Sequence, residues 1–81
     1  MPKLKILSGA DIVKIFVAFG FSITSQKGSH IKLSRILPNT SKQILTLPLH
    51  EELDRGTLVV IYKQALKYIS EAELHSHFYT E

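Results

Sequence analysis

The chain lacks several features that stabilise or direct other small proteins. It has no cysteine, so disulfides and cysteine-based zinc sites are excluded. No apolar run approaches the roughly 20 residues of a membrane-spanning helix, and residues 1–7 do not have the apolar run of a signal peptide. Glycine and proline are few, at four and three, and the hydrophobic fraction is 44%, which argues against disorder. We therefore expect a single ordered domain over residues 1–81 that is cytoplasmic and makes no membrane contact.

Acidic residues are scarce in the first half of the chain. Residues 1–42 contain seven basic residues and one acidic residue, Asp11, which gives a net charge of +6. Residues 43–81 contain three basic and six acidic residues, which gives a net charge of −3. A basic half is typical of proteins that bind a polyanion, most commonly nucleic acid. A solvated surface whose charges happen to segregate explains the pattern equally well.

The pattern of apolar residues predicts a helix followed by a strand. Apolar residues recur at helical spacing over Gly9–Phe19. Ser8 can cap this helix, because Asp11 follows three residues later as in a capping box, and Gly20 is a typical stop. The period then changes to two, which predicts a strand with Phe21 and Ile23 on one face. The polar residues Ser22, Thr24 and Gln26 are expected on the other face.

A turn at Gly28-Ser29 leads directly into a second predicted strand. Ile31 and Leu33 share the core face of that strand. By alternation, the opposite face carries His30, Lys32 and Ser34. A third strand is predicted over residues 43–47, with Leu45 and Leu47 facing the core and Thr46 facing outward.

Two helices complete the predicted order. Asp54 can cap the first of them, and its apolar stripe is the strongest periodic signal in the chain: Leu58, Ile61, Tyr62, Ala65, Leu66 and Ile69. Ser70 and Glu73 form a second capping box that opens a short final helix. We therefore predict an α+β fold of order α-β-β-β-α with a short C-terminal helix. The helices would cover one face of a three-stranded antiparallel sheet and leave His30, Lys32, Ser34 and Thr46 on the open face.

His30 is the main candidate for chemistry. A neutral imidazole can take the proton from a ribose 2′-hydroxyl, and an imidazolium can donate one to a leaving oxygen. Lys27, Lys32 and Arg35 could hold the phosphate, and the backbone amides of Gly28 and Ser29 are a further possible anion contact. The alternative is that His30 is an ordinary strand residue beside a turn glycine.

Other histidines give weaker signals. His50 follows the third strand; a second acid/base group is one interpretation, but we expect it to be a loop residue. His75 and His77 are two apart in a predicted helix, so they point in different directions and do not form a metal pair. No metal site and no cofactor are expected.

Several segments occur in the order and spacing of one protein family. These are Ser8-Gly9, Gly20-Phe21, Gln26-Lys27-Gly28-Ser29-His30, Pro48 with His50, Leu53-Asp54-Arg55-Gly56-Thr57-Leu58, Ile61 and Gln64. From about Leu4 to Phe78 the chain resembles HicA-type toxins, the mRNA interferases of type II toxin–antitoxin systems. The resemblance implies a double-stranded-RNA-binding-like fold and a metal-independent endoribonuclease that cleaves mRNA with His30 as its catalytic residue. It also implies a HicB-type antitoxin partner, and we expect no DNA contact for the toxin alone.

Two other functions remain open at this point. One is a non-catalytic RNA-binding module, although Glu51, Glu52 and Asp54 make the start of the last long helix too acidic for simple duplex binding. The other is a protein-binding domain with a degenerate site.

Overall fold

The computed structural model describes residues 2–80, and its elements follow the predicted order with a short strand added at each end. They are β1 (Lys3–Leu4), α1 (Gly9–Ala18), β2 (Ser22–Lys27), β3 (His30–Ile36), β4 (Lys42–Pro48), α2 (Arg55–Ala65), α3 (Glu71–Phe78) and β5 (Tyr79–Thr80). The α+β class and the α-β-β-β-α order are confirmed. None of the helices in the described residues combines the length and apolarity needed to cross a bilayer.

The main sheet is antiparallel, with β3 between β2 and β4. Its inner face, defined by Ile31, Leu33, Leu45 and Leu47, is almost completely buried against the helices. The helices contribute the other core side chains, including Ile12, Phe16, Leu58, Ile61, Leu74 and Phe78. The opposite side is the outer face. The helices therefore cover one face of the sheet, as predicted.

The helix starts follow the predicted capping pattern. At α1, the Asp11 backbone amide donates to Ser8 Oγ at 3.0 Å, and the Ser8 amide donates to Asp11 Oδ2 at 3.0 Å. At α2, the Thr57 amide donates to Asp54 Oδ1 at 2.7 Å. Such caps satisfy backbone donors that have no partner within the helix, so they define where each helix begins.

A register shift in β2 corrects the predicted alternation of that strand. Ile23 pairs with Leu33, but the next paired residue is Ser25, opposite Lys32, so Thr24 is an extra residue. Beyond this bulge Gln26 pairs with Ile31 on the inner face, whereas we predicted that it shares a face with Ser22. Ile23 is 52% exposed although Phe21 is buried, because β2 is an edge strand.

Two further differences concern Ser34 and the chain ends. Ser34 was predicted on the open face, yet it is only 7% exposed. It is a small side chain on the central strand, between Ser22 and Ile44 of the neighbouring strands, which shield it. The sequence also did not predict that β1 pairs with β5.

Helix α2 lies along the free edge of β4. Gln64 accepts from the Thr46 backbone amide through Oε1 at 3.1 Å and donates from Nε2 to the Thr46 carbonyl oxygen at 3.3 Å. The side-chain amide thus occupies backbone groups that a further strand would otherwise pair with, and it links α2 to the edge of the sheet.

Candidate active site

The turn between β2 and β3 positions His30. Lys27 and His30 are paired across a two-residue connection in which Gly28 has a φ of +61°. A positive φ at the first of the two turn residues is the pattern of a type II′ turn, and glycine is the residue that adopts it without strain. The Leu49 backbone amide donates to the Ser29 carbonyl oxygen at 2.6 Å, which ties the turn to the chain after β4. The turn and this hydrogen bond position the start of β3, from which His30 projects.

Two rows of paired residues cross the outer face at this end of the sheet. The first row is Lys27, His30 and Pro48, and the second is Ser25, Lys32 and Thr46. Directly paired residues in a sheet project to the same side. Lys27, His30 and Lys32 are all exposed, as predicted for the two β3 residues from strand alternation.

A surface groove follows these rows, and we call it the lysine groove. It has a volume of about 430 Å³ and is lined by Ser25, Lys27, His30, Ile31, Lys32 and Thr46. The structure thus brings three of the predicted site residues together, and Gly28 and Ser29 form the adjoining turn. Two ammonium groups and an imidazole on one exposed surface are suited to a phosphate-bearing ligand.

A second and larger groove, the α2 groove, lies on the other side of His30. It has a volume of about 590 Å³ and runs between the end of β4 and one face of α2. The strand side includes Thr46, Leu47 and Pro48, and the helix side includes Asp54, Gly56, Thr57, Val60, Ile61 and Gln64. His30 lines both grooves, so it stands at their junction.

Arg35 is not brought together with His30. It is half-buried, and its guanidinium donates to the Phe19 carbonyl oxygen at 2.8 Å, to the Tyr68 carbonyl oxygen at 3.2 Å and to Gln43 Oε1 at 2.6 and 2.9 Å. It also lies over the Phe21 ring, 4.7 Å from the centroid. These contacts connect the C-terminal cap of α1, β4 and the segment after α2, so Arg35 stabilises the inner side of the sheet.

His50 is exposed. Among the described residues that line the two grooves, His50 does not occur. Its backbone carbonyl accepts from the Gly9 amide at 2.9 Å. A side chain at position 9 would clash with the Pro48 carbonyl oxygen, so glycine is needed there for α1 to approach this segment. The structure gives His50 the position of a loop residue.

Asp54 adds an anionic group to the α2 groove. The backbone amide of Thr57, followed by its side chain, holds the pKa of the Asp54 carboxyl below its usual range. The group is therefore an ionised acceptor at neutral pH rather than a proton donor. Within residues 2–80, no group of three or more histidine, cysteine, aspartate or glutamate side chains is arranged to hold a metal ion.

Sequence reasoning did not identify the α2 groove. The residues on its helix side are spaced three or four apart, so they share one helix face. They include Asp54, Thr57, Val60, Ile61 and Gln64. Several of them belong to the segments that carry the family resemblance. That resemblance is the sequence feature from which the groove could have been predicted. Their meeting with β4 depends on tertiary structure, which the spacing alone does not specify.

Comparison with known protein families identifies a match over most of the chain. The model of the family described as HicA toxin of bacterial toxin-antitoxin matches residues 9–66, which is well over half of the chain. This match confirms the resemblance found in the sequence. No curated protein and no solved structure matches the chain significantly.

Proposed function

The chain belongs to the HicA toxin family of bacterial toxin–antitoxin systems, and on that premise we propose that it is a metal-independent endoribonuclease that cleaves mRNA. Membership of the family implies a cognate antitoxin, which we take to be of the HicB type. We further propose that residues 1–81 act as a single domain and that the toxin works in the cytoplasm, where mRNA is translated.

One observation carries this proposal. His30 is exposed at the junction of two grooves, and it shares the outer face with Lys27 and Lys32. Histidine can act as an acid or a base near neutral pH. Exposed lysines beside it can bind phosphate oxygens and stabilise the charge that develops on them.

The chemistry follows from the substrate. His30 takes the proton of a ribose 2′-hydroxyl, and that oxygen attacks the adjacent phosphorus while the bond to the 5′-oxygen of the next nucleotide breaks. A proton must then reach the departing 5′-oxygen, from the imidazolium or from solvent. The products are a 2′,3′-cyclic phosphate and a 5′-hydroxyl end. The attacking oxygen belongs to RNA itself, so the step requires no metal-bound nucleophile.

We propose that Lys27 and Lys32 hold the phosphate, with the backbone of Gly28 and Ser29 beside them. Arg35 has no substrate role in this proposal, since its guanidinium is committed to carbonyl and amide oxygens of the fold. The histidine at the junction of the grooves favours the catalytic proposal over a non-catalytic RNA-binding module or a protein-binding domain, since neither of these needs an acid–base group there.

The test is cleavage of a short RNA by purified protein in the presence of EDTA. We expect fragments with 5′-hydroxyl ends, and we expect His30→Ala to lower the cleavage rate by about 10²- to 10⁴-fold, the usual contribution of acid–base catalysis. Because His30 is exposed, the variant should unfold at the same urea concentration as the wild type.

His50→Ala is the matched control, since it removes an exposed histidine outside both grooves. We expect it to cut RNA within about twofold of the wild-type rate, as for other surface changes away from a site. A folded His30→Ala protein that cuts RNA at the wild-type rate, or cleavage that requires a metal ion, would contradict the proposal.

A further inference from the structure

The two grooves that meet at His30 differ in chemistry. The lysine groove offers ammonium groups from Lys27 and Lys32. The α2 groove offers apolar walls, including Pro48 and Val60, and the carboxylate of Asp54. A ligand that spans His30 therefore meets positive charge on one side and an apolar slot with a negative group on the other.

The walls of the α2 groove suit a flat heteroaromatic ring. Val60 is 65% exposed on the helix side, and Pro48 lies on the strand side, paired with His30 in the sheet. Enzymes that bind a nucleobase commonly hold its faces between apolar or aromatic side chains. The volume of about 590 Å³ lies within the usual range for small-ligand pockets.

Asp54 determines which nucleobases can place a hydrogen-bonding edge in the groove. One oxygen, Oδ1, accepts from the Thr57 amide, and an ionised carboxylate has further acceptor positions but no donor. It can accept from the amino group of adenine, cytosine or guanine. Uracil has no amino group; its only donor on that edge, N3–H, lies between two carbonyl oxygens, which the negative charge repels.

The same charges orient an RNA strand across His30. A phosphate is attracted by Lys27 and Lys32 and repelled by Asp54, so the phosphodiester belongs in the lysine groove. The base then extends into the α2 groove, which leaves its ribose at His30. This arrangement brings the 2′-hydroxyl of that ribose to the imidazole.

We propose that the α2 groove is a nucleobase subsite that binds the base of the nucleotide supplying the attacking 2′-hydroxyl, with a preference for bases that carry an amino group. The inference rests on the proposed ribonuclease function and names the substrate feature that the site selects. Asp54 is its specificity-determining residue, and Pro48 and Val60 are the walls of the slot.

The test uses short 2′-O-methyl oligonucleotides that contain one unmodified ribose, so only one bond can be cut. Four versions place adenine, cytosine, guanine or uracil on that ribose. We expect wild-type kcat/KM for the three amino-bearing bases to exceed that for uracil by about tenfold, the order of one good polar contact to a base. Asp54→Asn retains a side chain that caps helices as well as aspartate does, but it can also donate, so we expect the preference to fall below about threefold.

Glu52→Gln is the matched control, because it removes the same charge from a nearby exposed carboxylate that lies outside the α2 groove. We expect it to retain the wild-type preference. Equal cleavage of all four substrates by the wild type, or an unchanged preference in Asp54→Asn, would overturn the proposal while leaving the ribonuclease function intact.

Binding of fully 2′-O-methylated versions separates the two proposals. Tighter binding of the amino-bearing versions, lost in Asp54→Asn, supports the subsite even if the wild type cleaves nothing, in which case only the ribonuclease function fails. Absence of any base preference, combined with weaker antitoxin binding by Val60→Ser, would mean that the groove accepts a protein side chain and would overturn the subsite.

Discussion

The two faces of the main sheet use basic residues in opposite ways. On the inner face the guanidinium of Arg35 is surrounded by acceptors from three parts of the chain and lies over an aromatic ring. On the outer face Lys27 and Lys32 are exposed beside His30. All three cations belong to the basic half of the chain, so charge counting treats them alike. The face of the sheet separates a residue that stabilises the fold from residues available to a ligand.

Among the substitutions that test this contrast, Arg35→Ala should have the largest effect on stability. The substitution removes four hydrogen bonds and leaves two backbone carbonyls and the Gln43 amide oxygen short of a donor. We expect the free energy of unfolding to fall by about 3–4 kcal/mol, since four hydrogen bonds are lost and each contributes about 1 kcal/mol. Urea denaturation measures this loss, and RNA cleavage per folded molecule should stay within about twofold.

Arg55→Ala is the control for this change, because Arg55 is an exposed arginine at the start of α2. Its unfolding free energy should change by no more than about 0.5 kcal/mol. If Arg35→Ala were as stable as the wild type but bound RNA poorly, Arg35 would be a phosphate ligand, as the sequence alone indicated.

Tyr62 should have an intermediate effect on the free energy of unfolding, and this effect appears only at alkaline pH. Burial, followed by the hydrogen bond to Glu71 Oε2 at 3.2 Å, raises the pKa of Tyr62 to about 12. Above pH 10 the unfolded chain loses the phenol proton while the folded protein keeps it, so stability is complete below pH 10 and falls as the pH rises toward 12. The limiting slope is about 1.4 kcal/mol per pH unit, and the total is on the order of 1–3 kcal/mol.

Urea unfolding at a series of pH values from 9 to about 11.5 measures this dependence. Tyr62→Phe cannot ionise, so its stability should decline less steeply than that of the wild type over the same interval. All other ionisable groups are the same in both proteins, so the difference between the two curves isolates the phenol. Parallel curves would mean that Tyr62 ionises as readily in the folded state as in the unfolded state.

Local patterns predicted the features that depend on local interactions. The caps at Ser8, Asp54 and Ser70 are where the sequence indicated, because each satisfies donors within its own turn. The outward position of His30 and Lys32 follows from alternation in a regular strand. In β2 alternation failed at Thr24, because an inserted residue changes the pairing without any glycine or proline to mark it.

The features that prediction missed depend on contacts between distant segments. The acceptors of Arg35 at Phe19 and Tyr68 are 16 and 33 residues away in the chain. Gln64 reaches Thr46 across 18 residues, and this contact places α2 beside β4 to form the second groove. Nothing in the spacing of these residues indicates that they meet, so half of the candidate site emerged only from the fold.

Lys32→Ala should have the smallest effect on stability and a specific effect on RNA binding. Lys32 is exposed on the outer face, so we expect the unfolding free energy to stay within about 0.5 kcal/mol of the wild type. Loss of one phosphate contact should make the dependence of log affinity on log salt concentration shallower by about 0.7, the value for single-stranded nucleic acid. Titration of an uncleavable RNA at several salt concentrations measures that slope. Lys67→Ala removes an equal charge from an exposed position outside the lysine groove, so its slope should remain that of the wild type. Equal slopes in the two variants would mean that overall charge, rather than the outer face of the sheet, attracts the RNA.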